Sequence, residues 1–398
     1  MRVIGARARA GLVAVGVAGA LWCVGAPRTG AGEDSASVEE RDEGGESRAR
    51  SGEGEPGRFE ESVDVRSRAP WLEDLAAFST TLEADDAVRR GLDVGDLLPR
   101  VPGARVASYG GVGQFSTVSL RGSSADQVTV RVDGVPQNRA LGGAVDLSAL
   151  PASQIETITV FRGFPPASAG LSGLGGLVDI RTRRPRDGQS AQVDVLAGSL
   201  GTRKLSAGWG GSVGEEGGMR LGVEALESEG DFRFVSDNGT SADRSDDFWA
   251  ERINNDVQAL DLVASASGLR SLGAQMNVSA RLRDADRGIP GVEALQSPTT
   301  RLDEQRASVH ASWQWRVDGG PPGGRPTTEL LVDGFTQKDH LTDDGPVGVG
   351  AGFQDQTTRL SGGGVAVTHR RALGGHRLLG RLELRGERAR VRDEGLEP

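Results

Sequence analysis

The sequence predicts an antiparallel membrane β-barrel, incomplete at about nine strands, preceded by a small α+β domain. Three observations carry that prediction. The C-terminal half alternates apolar and polar residues over segments of roughly ten residues or more, the period of barrel strands. Its connections alternate between short turns and long polar loops. Outside the N-terminus no apolar run reaches the roughly 18 residues of a membrane helix, which excludes a helical membrane protein and leaves a barrel open.

Composition narrows the function classes. The 398 residues include 60 glycines without a G-X-Y period, so a fibrous protein is excluded. Lys204 and Lys338 are the only lysines among many arginines, and Tyr109 is the sole tyrosine, a bias that codon usage in a GC-rich genome explains. A net charge of -10 argues against nucleic acid as a partner, because phosphate binding needs a basic face. Four scattered histidines and one cysteine offer neither a zinc cluster nor a disulfide framework, so no metal or cofactor is expected.

The chain opens with Arg2, Arg7 and Arg9, then an uncharged stretch from Ala10 to Val24, then the small triplet Thr29-Gly30-Ala31. Charged start, short apolar centre and small-residue exit read as a secretory signal peptide over 1–31. Cys23 falls inside it, so the exported chain carries no cysteine. Residues 32–60 are acidic and nearly devoid of large apolar side chains, a composition that stays disordered. Residues 61–66 contain a brief β-prone patch, Glu61-Ser62-Val63-Asp64-Val65.

Residues 67–186 read as the small domain. Val128–Val132, Ile155–Phe161 and Leu177–Ile180 are expected strands, each bounded by glycine turns, and a short helix is expected around Asp96-Leu97-Leu98, closed by Pro99 and Pro102-Gly103. Gly110-Gly111-Val112-Gly113 lacks the Gly-Lys-Ser/Thr ending of a phosphate loop. Neither a Gly-x-Ser-x-Gly elbow nor a His-Glu-x-x-His pair occurs, and no spacing groups Ser, Asp and His. The residues therefore offer no catalytic constellation, and the chain is not expected to be an enzyme.

Within this domain Leu97-Leu98-Pro99-Arg100-Val101-Pro102-Gly103, Gly110 to Gln114, Leu120-Arg121-Gly122-Ser123 and Val132-Asp133-Gly134-Val135-Pro136 follow one another. Asp146-Leu147-Ser148, Ile155-Glu156-Thr157-Ile158, Phe161-Arg162-Gly163, Gly175 to Ile180 and Thr182 complete the series. In that order they resemble the plug domain of TonB-dependent outer-membrane receptors, and the spacing from Gly110 to Gly122 resembles the vitamin B12 receptor subgroup. The resemblance implies a ligand-gated active transporter of the outer membrane, importing a scarce metal chelate such as a cobalamin or a ferric siderophore. It implies that Glu61, Ser62, Val63, Asp64 and Val65 form the TonB box, an extended segment that adds as a strand to the periplasmic energy-transducing protein. It implies that Arg121 and Arg162 lock the plug through barrel glutamates. Ligand contacts are expected at Tyr109, Gln114, Phe115, Ser116, Asn138, Arg139 and Leu141. Outer-membrane lipid is the surrounding partner, and the receptor is expected to act as a monomer.

The array after the plug, 187–398, reads as strands independently of that resemblance. Strands are expected near 191–199, 203–213, 219–232, 253–267, 273–285, 303–317, 327–341, 356–370 and 376–391. Short turns fall near 214–218, 268–272, 318–326 and 371–375, and long polar loops near 233–252, 286–302 and 342–355. Trp313 and Trp315 suit an interfacial aromatic girdle or simple core packing, and His310 falls on the polar, lumen side. Because the family barrel has about 22 strands and an open membrane sheet leaves bare edges in lipid, the expectation is an N-terminal portion of a longer receptor. The rival readings are a secreted or surface β-rich adhesion protein, whose strands form a soluble sandwich, and a secreted hydrolase.

Overall fold

The computed structural model describes residues 78–394, apart from short stretches within 86–92, 164–172, 185–187, 214–216, 241, 293–294, 317–325, 346–352 and 374–375. The signal peptide, linker and box readings at 1–31, 32–60 and 61–66 lie outside the described residues.

Alternation of valine and isoleucine with polar residues builds the first sheet. Its strands are β1 (Ser79–Glu83), β4 (Val128–Val132), β5 (Val135–Pro136), β6 (Ile155–Phe161) and β7 (Gly176–Thr182), in the order β1-β6-β7-β4-β5. Only β4 and β7 run parallel; the other pairs are antiparallel. Between β4 and β5, Asp133 and Gly134 have φ of 49° and 85°, the mirror-image turn that Asp-Gly favours because both positions need positive φ. Ile158, Ile180, Val128, Val160 and Val178 are fully buried at the centre of the domain.

Helix α1 spans Val94–Leu97, slightly earlier than the composition suggested. The Asp93 N–H donates to Asp96 Oδ2 at 3.0 Å, so a first-turn carboxylate satisfies an orphan amide. Pro99 sits inside the 3-10 turn Leu98–Arg100 that follows, not after the helix end. Strands β2 (Ala104–Ser108) and β3 (Ser116–Leu120) form a hairpin that the glycine-rich motifs had concealed.

All nine expected wall strands are present. They are β8 (Ser190–Ala197), β9 (Arg203–Val213), β10 (Gly217–Ser228), β13 (Val257–Ser271), β14 (Ala274–Gly288), β17 (Arg301–Arg316), β18 (Thr327–Asp343), β19 (Gln354–Leu373) and β20 (His376–Asp393). They pair in chain order into one antiparallel sheet with β8 and β20 at its edges. Two connections read as plain loops carry hairpins of their own: β11 (Arg233–Ser236) with β12 (Phe248–Glu251), and β15 (Gly291–Val292) with β16 (Leu295–Gln296). These polar stretches held too few alternating residues to announce strands.

The two faces of the wall separate as a barrel requires. Leu262, Leu282, Val309, Val332, Val365 and Leu384 are exposed on the side away from the small domain. Glu224, Asp261, Arg283, Glu304 and Thr368 are buried on the side facing it. An apolar outer band over a polar interior is the arrangement of an outer-membrane barrel. Trp313 and Trp315 belong to the outer face near the short-turn end, and Trp315 Nε1 donates to the Leu272 carbonyl at 3.0 Å. That placement fits the girdle reading, with the indole N–H satisfied at a turn. Leu282→Arg, in the middle of the lipid face, should cost about 2–4 kcal/mol, measured as reduced folded yield on refolding into bilayers.

Candidate functional site

Two loops of the small domain lean on the wall toward the ends of the strands that the long connections join. The first is the tip of the β2–β3 hairpin. The Tyr109 N–H donates to the Phe115 carbonyl at 3.0 Å, closing the tip, and the two rings lie 5.7 Å apart with a 40° tilt. Tyr109 is 63% exposed and Phe115 39%. Gln114 beside them is buried instead. Its Nε2 shares its two hydrogens among the carbonyls of Asn255, Asp256 and Gly288 at 3.1, 3.3 and 3.3 Å. Gly113 permits this approach: its φ is +76°, and a Cβ there would lie 2.7 Å from Leu226 Cδ2.

The second loop follows β5. Asn138 accepts from the Val130 N–H and donates to the carbonyls of Val128 and Gly143, each at 2.9 Å, so its amide shapes the loop. Arg139 places its guanidinium 3.6 Å from the centre of the Phe335 ring, a cation–π contact on the wall. Burial and the neighbouring Arg306 pull its pKa down to about 10, which leaves it charged at neutral pH. The Ala140 N–H donates to Glu387 Oε2 at 2.7 Å. Leu141 is 48% exposed.

Tyr109, Phe115 and Leu141 thus present open apolar surface, whereas Gln114, Asn138 and Arg139 are committed to holding the loops. Ser116 is buried, and its N–H donates to Asp146 Oδ1 at 3.2 Å. Arg121 stacks on Phe78 at 5.7 Å, and Arg162 donates to Thr80 Oγ1 at 3.2 Å and to the Pro102 carbonyl at 3.4 Å. Among the described residues these partners all belong to the small domain itself.

Different side chains tie domain to wall. Asp146 accepts from Ser148 through Oδ1 and pairs through Oδ2 with Arg287 Nη1 at 2.9 Å. Arg287 reaches Glu304 at 3.5 Å, Glu304 reaches Arg283 at 3.4 Å, and Arg283 pairs with Asp261. Asp261 also holds Arg281, which donates to the Ala149 carbonyl back in the small domain. A second clamp joins Lys204 on β9 to Asp93 at 2.8 Å and to Glu224 at 3.1 Å, with Ser153 donating to Glu224. A third joins Arg131 to Glu383 at 3.5 Å. Burying so many charges is tolerable only because each finds an opposite partner.

Reading motifs inside the small domain missed these clamps, since most of their charges come from the wall. A usable signal existed. Asp261, Arg283 and Glu304 all take lumen-side positions on adjacent strands and alternate in sign. The set offers an exposed aromatic pair above a domain held to the wall by polar contacts. Gln114→Ala removes the side-chain donor from the carbonyls of Asn255, Asp256 and Gly288 and should loosen the hairpin tip by about 1–3 kcal/mol, read by faster amide hydrogen exchange at residues 109–116.

Comparison with known proteins agrees with this architecture. Residues 72–177 match the family model described as TonB-dependent Receptor Plug Domain. The vitamin B12 transporter BtuB of Vibrio cholerae serotype O1 is 31% identical over 184 residues, covering 44% of this chain and 30% of that protein. A mutant ferric enterobactin receptor, PfeA, from Pseudomonas aeruginosa superposes with a TM-score of 0.56 at 17% identity, covering 80% of this chain and 50% of that one. The pyoverdine outer membrane receptor FpvA from Pseudomonas aeruginosa PAO1 gives 0.60 at 13% identity, covering 80% and 48%. The copper transporter OprC gives 0.63 at 12% identity, covering 79% and 46%. At such identities the structures speak for the fold alone, and the chain spans about half of their length. Residues 72–177 are thus a plug domain of the TonB-dependent receptor kind, the strands after it share the fold of outer-membrane receptor walls, and the chain as a whole resembles a TonB-dependent outer-membrane receptor of the vitamin B12 receptor subgroup.

Proposed function

We propose that this receptor imports a scarce metal chelate, a cobalamin or a ferric siderophore, across the outer membrane. The observation that carries the reading is the exposed Tyr109–Phe115 pair on a hairpin whose neighbour Gln114 is bolted to the wall. A flat, apolar-faced chelate landing on those rings transmits its contact directly to the plug-wall joint. Leu141 adds apolar surface on the second loop. One relative supports the cobalamin arm by its name: the vitamin B12 transporter of Vibrio cholerae, 31% identical over 184 residues. The metal travels as part of the cargo, and no bond in the cargo is made or broken.

Energy enters from below. A periplasmic TonB-type protein takes the box Glu61 to Val65 as an added strand and pulls. The force meets the plug where Asp146, Asp93 and Arg131 hold the wall. Arg121 and Arg162, the lock implied by the resemblance, act one step inside: they stiffen the plug through Phe78, Thr80 and Pro102, so the pull reaches the wall contacts intact.

The test is uptake of radiolabelled cobalamin and of a radiolabelled ferric siderophore by cells expressing the receptor. One of the two is expected to accumulate. Val63→Pro, which cannot donate in an added strand, should return accumulation to background while leaving surface binding unchanged. Tyr109→Ala with Phe115→Ala should weaken surface binding about tenfold, the scale of a truncated aromatic anchor. Accumulation of neither chelate, or uptake indifferent to Val63→Pro, overturns the proposal.

A further inference from the structure

Between the small domain and the wall, halfway along β14, β17, β18 and β20, lies a cavity of about 60 Å³. Its surface is cationic. Among the described residues, five arginines line it against two carboxylates, Asp133 and Asp333. Both carboxylates already have partners: Asp133 accepts from the Thr182 hydroxyl at 2.6 Å, and Asp333 from Arg385 Nη2 at 2.7 Å. The acids that offset the other arginines stand behind the lining. Asp261 holds Arg281 and Arg283, Glu304 lies 3.3 Å from Arg306, and Glu387 accepts from the Ala140 N–H.

Three of the lining arginines lack full pairing. Arg139, Arg306 and Arg385 each keep a buried Nε–H for which the described residues supply no acceptor. Buried polar groups in folded proteins are paired, and an orphan marks strain, a water or an ion. The three also oppose one another across the joint, Arg139 from the small domain and the other two from the wall. After burial, Arg306 and Arg385 are what hold the Arg139 pKa down at about 10, against Glu387 and Asp333. The groups that Arg139 does reach are neutral: the Pro136 carbonyl at 3.5 Å and the Phe335 ring, 3.6 Å to its centre. Like charges set facing in a poorly solvated joint push it apart.

Size decides what fits there. One water takes roughly 10–15 Å³ of such space, so the cavity admits about four to six water-sized groups. A phosphate or sulfate is of that size, and a whole chelate is excluded.

We infer that this cavity is an oxyanion site, where a free phosphate-class anion held by Arg139, Arg306 and Arg385 fastens the small domain to the wall. Guanidinium forks match such oxygens in pairs, and a tetrahedral anion has oxygens enough for all three. The anion turns the repulsion across the joint into attraction. It adds one more contact that must break when the small domain moves, so its occupancy sets how readily the joint opens.

The test compares the full chain in detergent in sodium phosphate and in sodium chloride, at equal ionic strength and pH. Equilibrium dialysis with radiolabelled phosphate gives the dissociation constant. At about ten times that concentration, amide exchange over Asn138 to Ala144 is expected to be roughly tenfold slower in phosphate than in chloride. Arg139→Gln should abolish that protection and lose one bound phosphate. Arg359→Gln, exposed on the outer face, should keep both. Exchange protection over β17 to β19 reports whether a variant has folded, and the comparison of salts on the parent chain needs no variant. Equal exchange in the two salts overturns the inference, because it leaves ionic screening alone. So does a folded Arg139→Gln chain that phosphate still protects, or one that binds as much phosphate as the parent.

Discussion

Arg287→Ala is expected to loosen the plug more than any other single change at its contact with the wall. Asp146 and Arg287 are both buried, 2.9 Å apart. Removing the guanidinium strands a carboxylate that also orders the Ser116 and Ser148 amides. Breaking a buried pair from one side costs about 3–5 kcal/mol, most of it the uncompensated charge. That cost corresponds to roughly a hundredfold to several-thousandfold faster opening, read as amide hydrogen exchange over Ser116 to Leu120 and at Ser148. The double change Asp146→Asn with Arg287→Leu should recover much of the loss, because a neutral pair carries no stranded charge. Unchanged exchange in the single variant would remove Asp146–Arg287 from the set of contacts that hold the plug.

Phe161→Ala is expected to unfold the plug while sparing the wall. Phe161 is 1% exposed at the end of β6, paired with Ser79 on β1 and Leu177 on β7. The turn residue opposite it has no slack: a Cβ on Gly176 would sit 2.4 Å from the Phe161 carbonyl. A cavity of this kind costs about 3–5 kcal/mol. A domain of this size has about 5–15 kcal/mol in all, so the loss is a large share. Thermal unfolding followed by hydrogen exchange should show protection falling in β4, β6 and β7 and persisting in β17 to β19. Joint loss of protection in both would mean that plug and wall fold as one unit.

Much of the architecture was legible because its physics is local. Alternation at period two, with turns between, located every wall strand, and β9 ran from Arg203 to Val213 as read. The exceptions share a cause. The β2–β3 hairpin carries glycines on its tip and serines along its strands, so its pattern looked like turn after turn. The β11–β12 and β15–β16 hairpins sit in polar loops and are steadied by contacts remote in sequence, such as Arg252 with the Gly291 carbonyl and Gln296 with the Glu251 carbonyl.

The site was legible in part for the same reason. The exposed ring pair could be expected from Tyr109 and Phe115, six residues apart across a glycine-rich tip. That Gln114 turns inward depends on carbonyls about 140 and 174 positions away. No local pattern encodes that. Asp146 with Arg287, and Lys204 with Asp93, are likewise pairs of distant charges whose meeting only the register of the wall decides.

A scan of single spin labels along β17, from Leu302 to Arg316 in the membrane-inserted chain, tests the architecture most directly. Accessibility to dissolved oxygen should rise at Ala307, Val309, Ala311, Trp313 and Trp315 and fall at Arg306, Ser308, His310 and Ser312. That alternation is what a lipid-facing wall lined inside by the plug predicts. A flat profile, or equal access of a water-soluble reagent to both sets, would contradict it.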